Sequence, residues 1–192
     1  MVADMASITR KQAKTVNLGI MYGMGQGKLA NTLDITKQEA KTLLNSYHDK
    51  VPFVKGLADM VASKAARHGQ IRTLLGRKCR FDMWEPNSFG YNKPLKHEEA
   101  IKEYGPGIRR AFTYKALNKL IQGSAADQTK KAMVDCYKEG LVPLLTVHDE
   151  LCFSISTEEQ ASRIKEIMET CVDLRVPSSV DQELGGNWGE VG

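Results

Sequence analysis

Four side chains in the stretch RKQAKTVNLGIMYG recur at every fourth position: Arg10, Lys14, Leu18 and Tyr22. Because each residue of a helix turns by about 100°, this spacing places all four along one slowly drifting helix face. Two cations followed by an apolar residue and an aromatic ring are unusual for a face that packs into a core. The combination suits a ligand that is anionic at one end and flat at the other, as a nucleoside triphosphate is. The same spacing is also compatible with a solvated basic face or with apolar residues that point into a core.

The composition is that of a globular domain. The 192 residues are 42% hydrophobic and 26% charged, which is ordinary for a soluble protein and sufficient for a sizeable core. No apolar run approaches the roughly 20 residues that span a bilayer. The opening segment MVADMASITRKQAK lacks the apolar centre of a signal peptide, so we expect a cytoplasmic protein.

The net charge of +4 is unevenly distributed along the chain. Residues 1–147 hold 24 of the 27 Lys and Arg and 13 of the 23 Asp and Glu, a balance of +11, whereas residues 148–192 have a balance of −7. A basic majority suits a polyanionic partner, because each phosphate that is neutralised releases condensed counterions. Simple solubility is the alternative explanation of the same charge.

Local signals predict helices and one hairpin in the first 81 residues. A helix from about residue 9 to 22 ends at the glycines of GMGQG. The T-x-x-E pattern at Thr36 is a capping box that opens an amphipathic helix, and Pro52 separates it from a second helix that ends at Gly69. Residues 71–81 are predicted to form a small hairpin.

The remaining residues give weaker and more varied signals. Residues 82–107 are rich in Pro and Gly and predict a long variable loop with one short helical turn. A long helix is predicted from about 108 to 139, followed by a hairpin over 141–156. A helix opened by Thr157 and a last strand near 180–184 complete the prediction.

The pattern R-x-x-x-K-x-x-x-(apolar)-x-x-x-Y-G resembles motif B of the family A DNA polymerases, the DNA polymerase I family. LNKLIQGSAAD, LLTVHDELCFS and the tail GGNWGEVG resemble further segments of that family, in the same order. The resemblance covers most of the chain and implies an α+β fold. It implies a helical fingers portion in residues 1–107 and a palm portion with a small antiparallel sheet in residues 108–192. The implied function is template-directed DNA synthesis by two-metal nucleotidyl transfer.

The resemblance assigns the motif B helix to the incoming nucleotide. Arg10 and Lys14 are implied to bind the triphosphate, with Lys14 also the candidate proton donor to the departing pyrophosphate. Tyr22 and Gly23 are implied to lie beside the nascent base pair. Leu18 replaces the Phe or Tyr of most members, as in some phage-type members, and is implied to contact the nucleotide sugar.

The segment V-H-D-E-L resembles the family's metal-binding turn. The resemblance implies that Asp149 binds Mg²⁺, that Glu150 is its acidic neighbour and that His148 contacts the primer terminus. Taken without its surroundings, the same turn is an ordinary polar hairpin turn.

Two further pairs of residues are implied to contact primer–template DNA. Asn118 and Gln122 are one turn apart on the predicted long helix, and the family uses these amides in the DNA minor groove. Helix-surface amides are the alternative. Arg109 and Arg110 suit backbone phosphates.

A second metal-binding aspartate, in a motif resembling D-Y-S-x-x-E, is expected well before motif B, and no such motif precedes Arg10. We therefore expect an incomplete metal site and negligible synthesis by this chain alone. The chain is then a fragment of a polymerase or one half of a split enzyme completed by an upstream half. A non-catalytic DNA-binding subunit and a metal-dependent nuclease are the other hypotheses.

Overall fold

The computed structural model describes residues 10–21, 24–88, 90 and 92–191. The chain divides into two compact units, residues 1–121 and 122–192. Helices dominate, and the strands form small antiparallel sheets, so the predicted α+β class is confirmed. Within the described ranges, no helix is both long and apolar enough to cross a membrane.

The described part of the first unit begins with four helices. The first, third and fourth were predicted, whereas the second, over residues 26–33, was not. The capping box is present: the Glu39 N–H donates to Thr36 Oγ1 over 3.2 Å, and the Thr36 N–H donates to Glu39 Oε2 over 2.8 Å. Pro52 lies in the first turn of the fourth helix, and Gly69 ends that helix with a positive φ of 67°. The helices are α1 (Arg10–Met21), α2 (Gln26–Leu33), α3 (Lys37–Lys50) and α4 (Pro52–His68).

A buried cluster joins these helices. Val16 of α1, Leu29 of α2 and Tyr47 of α3 are among its least exposed members, and the Tyr47 hydroxyl donates to Asn17 Oδ1 over 2.9 Å. One face of α1 is therefore held against its neighbours. The cluster comprises Ala13, Val16, Leu29, Ala30, Ala40, Leu43, Tyr47 and Val54.

The predicted hairpin is confirmed as β1 (Gln70–Arg72) paired with β2 (Lys78–Arg80). Ile71 of β1 is buried with Val61 and Ala65 of α4 and with Phe81, so the hairpin packs on that helix through one face.

The prediction of a long loop over residues 82–107 is wrong. This stretch and the residues after it form a three-stranded antiparallel sheet, in which the first strand in sequence lies between the other two, together with one short helix. The first of these strands pairs with residues 11 to 13 positions along the chain on one side and 22 to 26 positions along on the other, so no tight-turn pattern predicts the pairing. The elements are β3 (Met83–Pro86), β4 (Leu95–Lys96), α5 (His97–Tyr104) and β5 (Ile108–Arg110).

The long helix begins later than predicted. Residues 108–110 are extended because they pair with β3, and a 3₁₀ turn over Thr113–Lys115 precedes α6 (Ala116–Lys138).

The second unit contains a hairpin and one further helix, both predicted. These are β6 (Pro143–Val147), β7 (Glu150–Phe153) and α7 (Glu158–Thr170). Ile164 and Ile167 of α7 are buried against Cys136, with Phe153 packed on this cluster.

The predicted strand near residues 180–184 is not formed. The Val180 N–H donates to the Glu169 carboxylate over 2.9 Å, so a side chain takes the place of a ladder partner at that residue.

Candidate functional site

The described side chains of α1 divide into a buried face and an exposed face. Ala13 and Val16 are buried, whereas Lys14 is exposed and Leu18 is 42% exposed. Lys14 and Leu18 are four residues apart and share the outer face of the helix. The core interpretation of this stripe is therefore excluded for Leu18.

The other members of the predicted stripe lie at the edges of the described region. The backbone of Arg10 begins α1, but its side chain is outside the description. Tyr22 and Gly23 are outside the described residues. Directly after them the Met24 N–H donates to the Gly19 carbonyl over 2.7 Å, and Gly25 caps α2. The chain thus leaves α1 and enters α2 within a few residues.

His148 and Asp149 form a two-residue turn between β6 and β7. Val147 is paired with Glu150, so the strands continue up to the turn on both sides. His148 has a positive φ of 56°, a conformation that is uncommon for residues other than Gly. The side chains of His148, Asp149 and Glu150 are all exposed. The tight turn therefore presents an imidazole and two carboxylates in succession to the surroundings.

The donor chemistry of this turn suits a divalent cation, because carboxylate oxygens are hard ligands. Asp149 and Glu150 supply two adjacent carboxylates. Over the part of the chain that is described, no group of three or more His, Cys, Asp or Glu is arranged to hold a metal. The turn thus offers part of a ligand set.

Arg109 and Arg110 of β5 have different surroundings. Arg109 is exposed, and its Nε donates to Glu85 Oε1 over 3.0 Å. The guanidinium of Arg110 lies 4.5 Å from the ring centre of Trp84, donates to the Phe81 carbonyl over 3.0 Å and covers Gly69. A Cβ at Gly69 would lie 2.7 Å from the guanidinium carbon. Arg110 therefore ties together the end of α4, the end of the first hairpin and β3.

The sequence does not reveal that Arg110 joins these three elements. Its three contacts come from residues 26 or more positions away, and only their meeting in space identifies the role. Trp84 was the available signal, since a Trp in an otherwise polar stretch needs a partner for its ring.

Asn118 and Gln122 both lie in α6. Asn118 is half-buried and Gln122 is exposed, so the helix does not enclose the Gln122 amide.

The chain is similar to known polymerases over nearly all of its length. The model of DNA polymerase family A matches residues 1–190. The DNA-directed DNA polymerase of Pseudomonas phage M6 is 35% identical over 98% of this chain and 30% of its own length. DNA polymerase I of Geobacillus stearothermophilus is 35% identical over 96% of this chain and 20% of its own length. The chain therefore spans less than a third of these relatives.

The chain is also similar to a polymerase domain of known structure. The POL domain of Pol1 from M. smegmatis, in complex with DNA primer-template and dNTP, matches with a TM-score of 0.68 and 31% identity. The match covers 92% of this chain and 31% of the other.

Proposed function

The chain belongs to DNA polymerase family A, and we propose that it supplies the fingers portion and much of the palm portion of a template-directed DNA polymerase. The observation that carries the proposal is the outward-facing pair Lys14 and Leu18 on α1, a helix that Ala13 and Val16 anchor from behind. A cation and an apolar residue held on the outside of an anchored helix are available to a nucleotide.

In the proposed reaction the primer 3′-hydroxyl gives its proton to water, its oxygen attacks the α-phosphorus of the dNTP, and the bond from that phosphorus to the pyrophosphate oxygen breaks. Arg10 and Lys14 bind the triphosphate, and Lys14 gives a proton to the departing pyrophosphate. Leu18 contacts the sugar. Tyr22 stacks beside the nascent base pair, and Gly23 lets the DNA approach closely.

The β6–β7 turn serves the primer end of the same reaction. His148 contacts the primer terminus, and Asp149 and Glu150 contribute carboxylates to a divalent cation site. Family A polymerases use divalent metal ions, and Mg²⁺ is the ion that we propose. Such an ion supplies charge neutralisation and a more acidic 3′-hydroxyl. The two carboxylates alone do not complete the ligand set.

The proposed partners are primer–template DNA, dNTPs and an upstream polymerase part that carries the second aspartate. The two-stranded β6–β7 sheet supports the last of these, since Leu144 and Leu145 of β6 are 68% and 42% exposed. In the domain assignment, residues 1–107 are fingers and 108–192 palm. With these substrates, the location that we propose is the cytoplasm of a bacterium or of a phage-infected cell.

The amides Asn118 and Gln122 are proposed to contact the minor groove, where base acceptors vary little between base pairs. Arg109 and Arg110 are proposed near the backbone phosphates. Arg109 is the more available of the two, because the guanidinium of Arg110 is held by Trp84 and the Phe81 carbonyl.

The test is primer extension with Mg²⁺ and all four dNTPs. The chain is assayed alone and mixed with a separately expressed upstream part of the Pseudomonas phage M6 polymerase. Extension only in the mixture, abolished by Asp149→Asn, is the expected result. The control is Asp173→Asn, a second exposed carboxylate of the same unit, which should leave extension intact.

The other outcomes separate the remaining hypotheses. Extension by the chain alone would contradict the incomplete metal site. DNA binding in a filter assay without extension in any mixture would favour the non-catalytic DNA-binding subunit. DNA degradation that depends on Asp149 would favour a nuclease.

A further inference from the structure

The β1–β2 hairpin carries a basic face on its outer side. Gln70 is paired with Arg80, and Arg72 is paired with Lys78, so all four side chains point to the same face of the hairpin. All of them except Gln70, which is half-buried, are exposed. Ile71 occupies the opposite face, which packs on α4. We call the exposed cations Arg72, Lys78 and Arg80 the basic face.

Apart from Asp82, two residues after Arg80, no carboxylate lies in or beside the hairpin sequence. Six Lys and Arg and no Asp or Glu lie between Asp59 and Asp82. Throughout the described ranges, no ion pair joins Arg72, Lys78 or Arg80 to a carboxylate. The basic face is therefore not neutralised by the protein part that the structure describes.

The facing charges of the hairpin destabilise its folded form when no anion is bound. Arg72 and Lys78 are directly opposite each other, and like charges in that position destabilise a strand pair. An anion placed over the pair would remove the repulsion. The repulsion between Arg72 and Lys78 thus lowers the stability of the free hairpin, and a bound polyanion would remove this repulsion.

The Arg72 side chain and the backbone at the hairpin end are held in place by hydrogen bonds. A guanidinium nitrogen of Arg72 donates to the Gly76 carbonyl over 2.8 Å, and the Thr73 N–H donates to the Arg77 carbonyl over 2.9 Å. Leu74 and Leu75 at the tip are 53% and 48% exposed. One cation with a fixed side chain, two further exposed cations and an exposed apolar tip therefore lie within one short hairpin.

We propose that this hairpin binds single-stranded DNA, with Arg72, Lys78 and Arg80 on successive phosphates and Leu74 and Leu75 against the faces of unstacked bases. The inference rests on the proposed function, which makes DNA the partner, and adds a binding element separate from α1, β5 and the β6–β7 turn. A single strand offers phosphates and apolar base faces side by side, whereas a duplex covers its base faces by stacking. The hairpin matches the single strand in both respects.

The test measures affinity of the full 192-residue chain for a labelled oligothymidylate and a blunt duplex by fluorescence anisotropy over a range of salt concentrations. The triple variant Arg72→Gln, Lys78→Gln, Arg80→Gln should bind the oligothymidylate about tenfold or more weakly. The slope of log affinity against log salt should fall by about 2, since each contact to a single strand contributes about 0.7. The triple variant loses both the Arg72–Gly76 hydrogen bond and the Arg72–Lys78 repulsion, which act in opposite directions, so its melting temperature should stay close to that of the unchanged protein.

A matched control removes the same charge elsewhere in the first unit. Lys28, Lys41 and Lys55 are exposed residues of α2, α3 and α4, and changing all three to Gln should leave the salt slope unchanged. The double variant Lys78→Gln, Arg80→Gln spares the Arg72 hydrogen bond and should give an intermediate loss. If the triple variant folds poorly, the oligothymidylate affinity and the salt slope are measured on this double variant instead.

The outcomes distinguish the two proposals. If the unchanged chain binds neither DNA at low salt, the proposed function fails and this inference fails with it. If the chain binds DNA but the triple variant and the control lose affinity equally, only the hairpin inference is overturned. Leu74→Ser with Leu75→Ser should weaken binding of the oligothymidylate and not of the duplex, and equal weakening would overturn the choice of single-stranded DNA.

Discussion

His148 occupies a backbone conformation that costs an L-residue energy, with a φ of 56° in a two-residue turn. Left-handed backbone costs residues other than Gly about 1–2 kcal/mol. We expect His148→Gly to be more stable than His148→Ala by about 1 kcal/mol in urea denaturation, because only Gly adopts this φ without strain. In primer extension by the mixture, both variants should lose the proposed primer contact. The two variants should therefore differ in stability but have similarly reduced activity.

The control for this comparison is an exposed helix position. Ser162 lies in α7, where Gly should be less stable than Ala by about 1 kcal/mol. The sign of the Gly–Ala difference should therefore reverse between positions 148 and 162. Ala and Gly of equal stability at 148 would show that the turn relaxes to another conformation.

Leu18 presents an apolar side chain where most family members carry Phe or Tyr. If Leu18 contacts the sugar as we propose, a Tyr hydroxyl at this position would take the place of the missing 3′-hydroxyl of a dideoxynucleotide, and Leu has no hydroxyl. We expect Leu18→Tyr to reduce discrimination against dideoxynucleotides about tenfold or more, the value of a hydrogen bond of roughly 1.5 kcal/mol. Leu18→Phe is the control, since it adds the ring without the hydroxyl. The measurement is the ratio of dNTP to ddNTP incorporation in the reconstituted mixture, and equal effects of both variants would contradict the hydroxyl argument.

Single residues also show where prediction from sequence ends. The outward position of Lys14 and Leu18 follows from helix periodicity once the buried pair Ala13 and Val16 is recognised. The place of Arg110 does not, because the indole of Trp84, the Phe81 carbonyl and Gly69 meet its guanidinium only in the folded chain.

At the scale of elements, the start of α3 is the best-defined helix end. The Thr36 hydroxyl accepts from the Glu39 N–H and donates to the Glu39 carboxylate over 2.7 Å. We expect Thr36→Ala to cost about 1 kcal/mol of stability at pH 7, since it leaves a helix N–H without its cap. Thr42→Ala is the control within the same helix, because the Thr42 hydroxyl only donates to the Gln38 carbonyl of the preceding turn. It should cost little or nothing in urea denaturation.

The capping box also predicts a pH dependence. Hydrogen bonds from the Thr36 hydroxyl and then the Thr36 backbone N–H lower the pKa of the exposed Glu39 below its usual value of 4.5. A carboxylate with a depressed folded pKa stabilises above its unfolded pKa, and this contribution is lost as the pH falls through the folded pKa. The cost of Thr36→Ala should therefore be smaller at pH 3 than at pH 7. If the cost of Thr36→Ala does not change with pH, the Glu39 carboxylate does not contribute to the stability of the cap.

Elements defined by neighbouring residues were predictable, and elements defined by distant partners were not. The capping box at Thr36, the end of α4 at Gly69 and the two hairpins depend on residues a few positions apart. The β4-β3-β5 sheet has strands of two to four residues, too short for an alternating pattern, and β3 finds its partner β5 across a helix. Residues 180–184 are apolar only at their ends, Val180 and Leu184, and the Asp, Gln and Glu between them are poor strand formers, so the predicted strand had little local support and finds no partner in the described residues.

At the scale of the whole molecule, the charge is divided between a basic majority and an acidic end. Exposed carboxylates of the last 20 residues, including Asp173, Asp181 and Glu183, belong to none of the proposed binding elements. We therefore expect them to act on the proposed DNA partner through the electrostatic field of the protein rather than through contact. The acidic end should therefore weaken DNA binding, and the effect should be larger at low salt, where the screening length is longer.

Neutralising these three carboxylates as Asp173→Asn, Asp181→Asn and Glu183→Gln raises the net charge from +4 to +7. We expect oligothymidylate affinity to rise a few-fold at low salt and to converge with the unchanged protein at high salt. The reason is that the screening length falls from about 30 Å at 0.01 M to about 3 Å at 1 M. The charge-conserving variant Asp173→Glu, Asp181→Glu, Glu183→Asp should behave as the unchanged protein does. A gain that persists at high salt would mean that these residues contact the DNA or its binding surface directly, because screening removes field effects and leaves contacts in place.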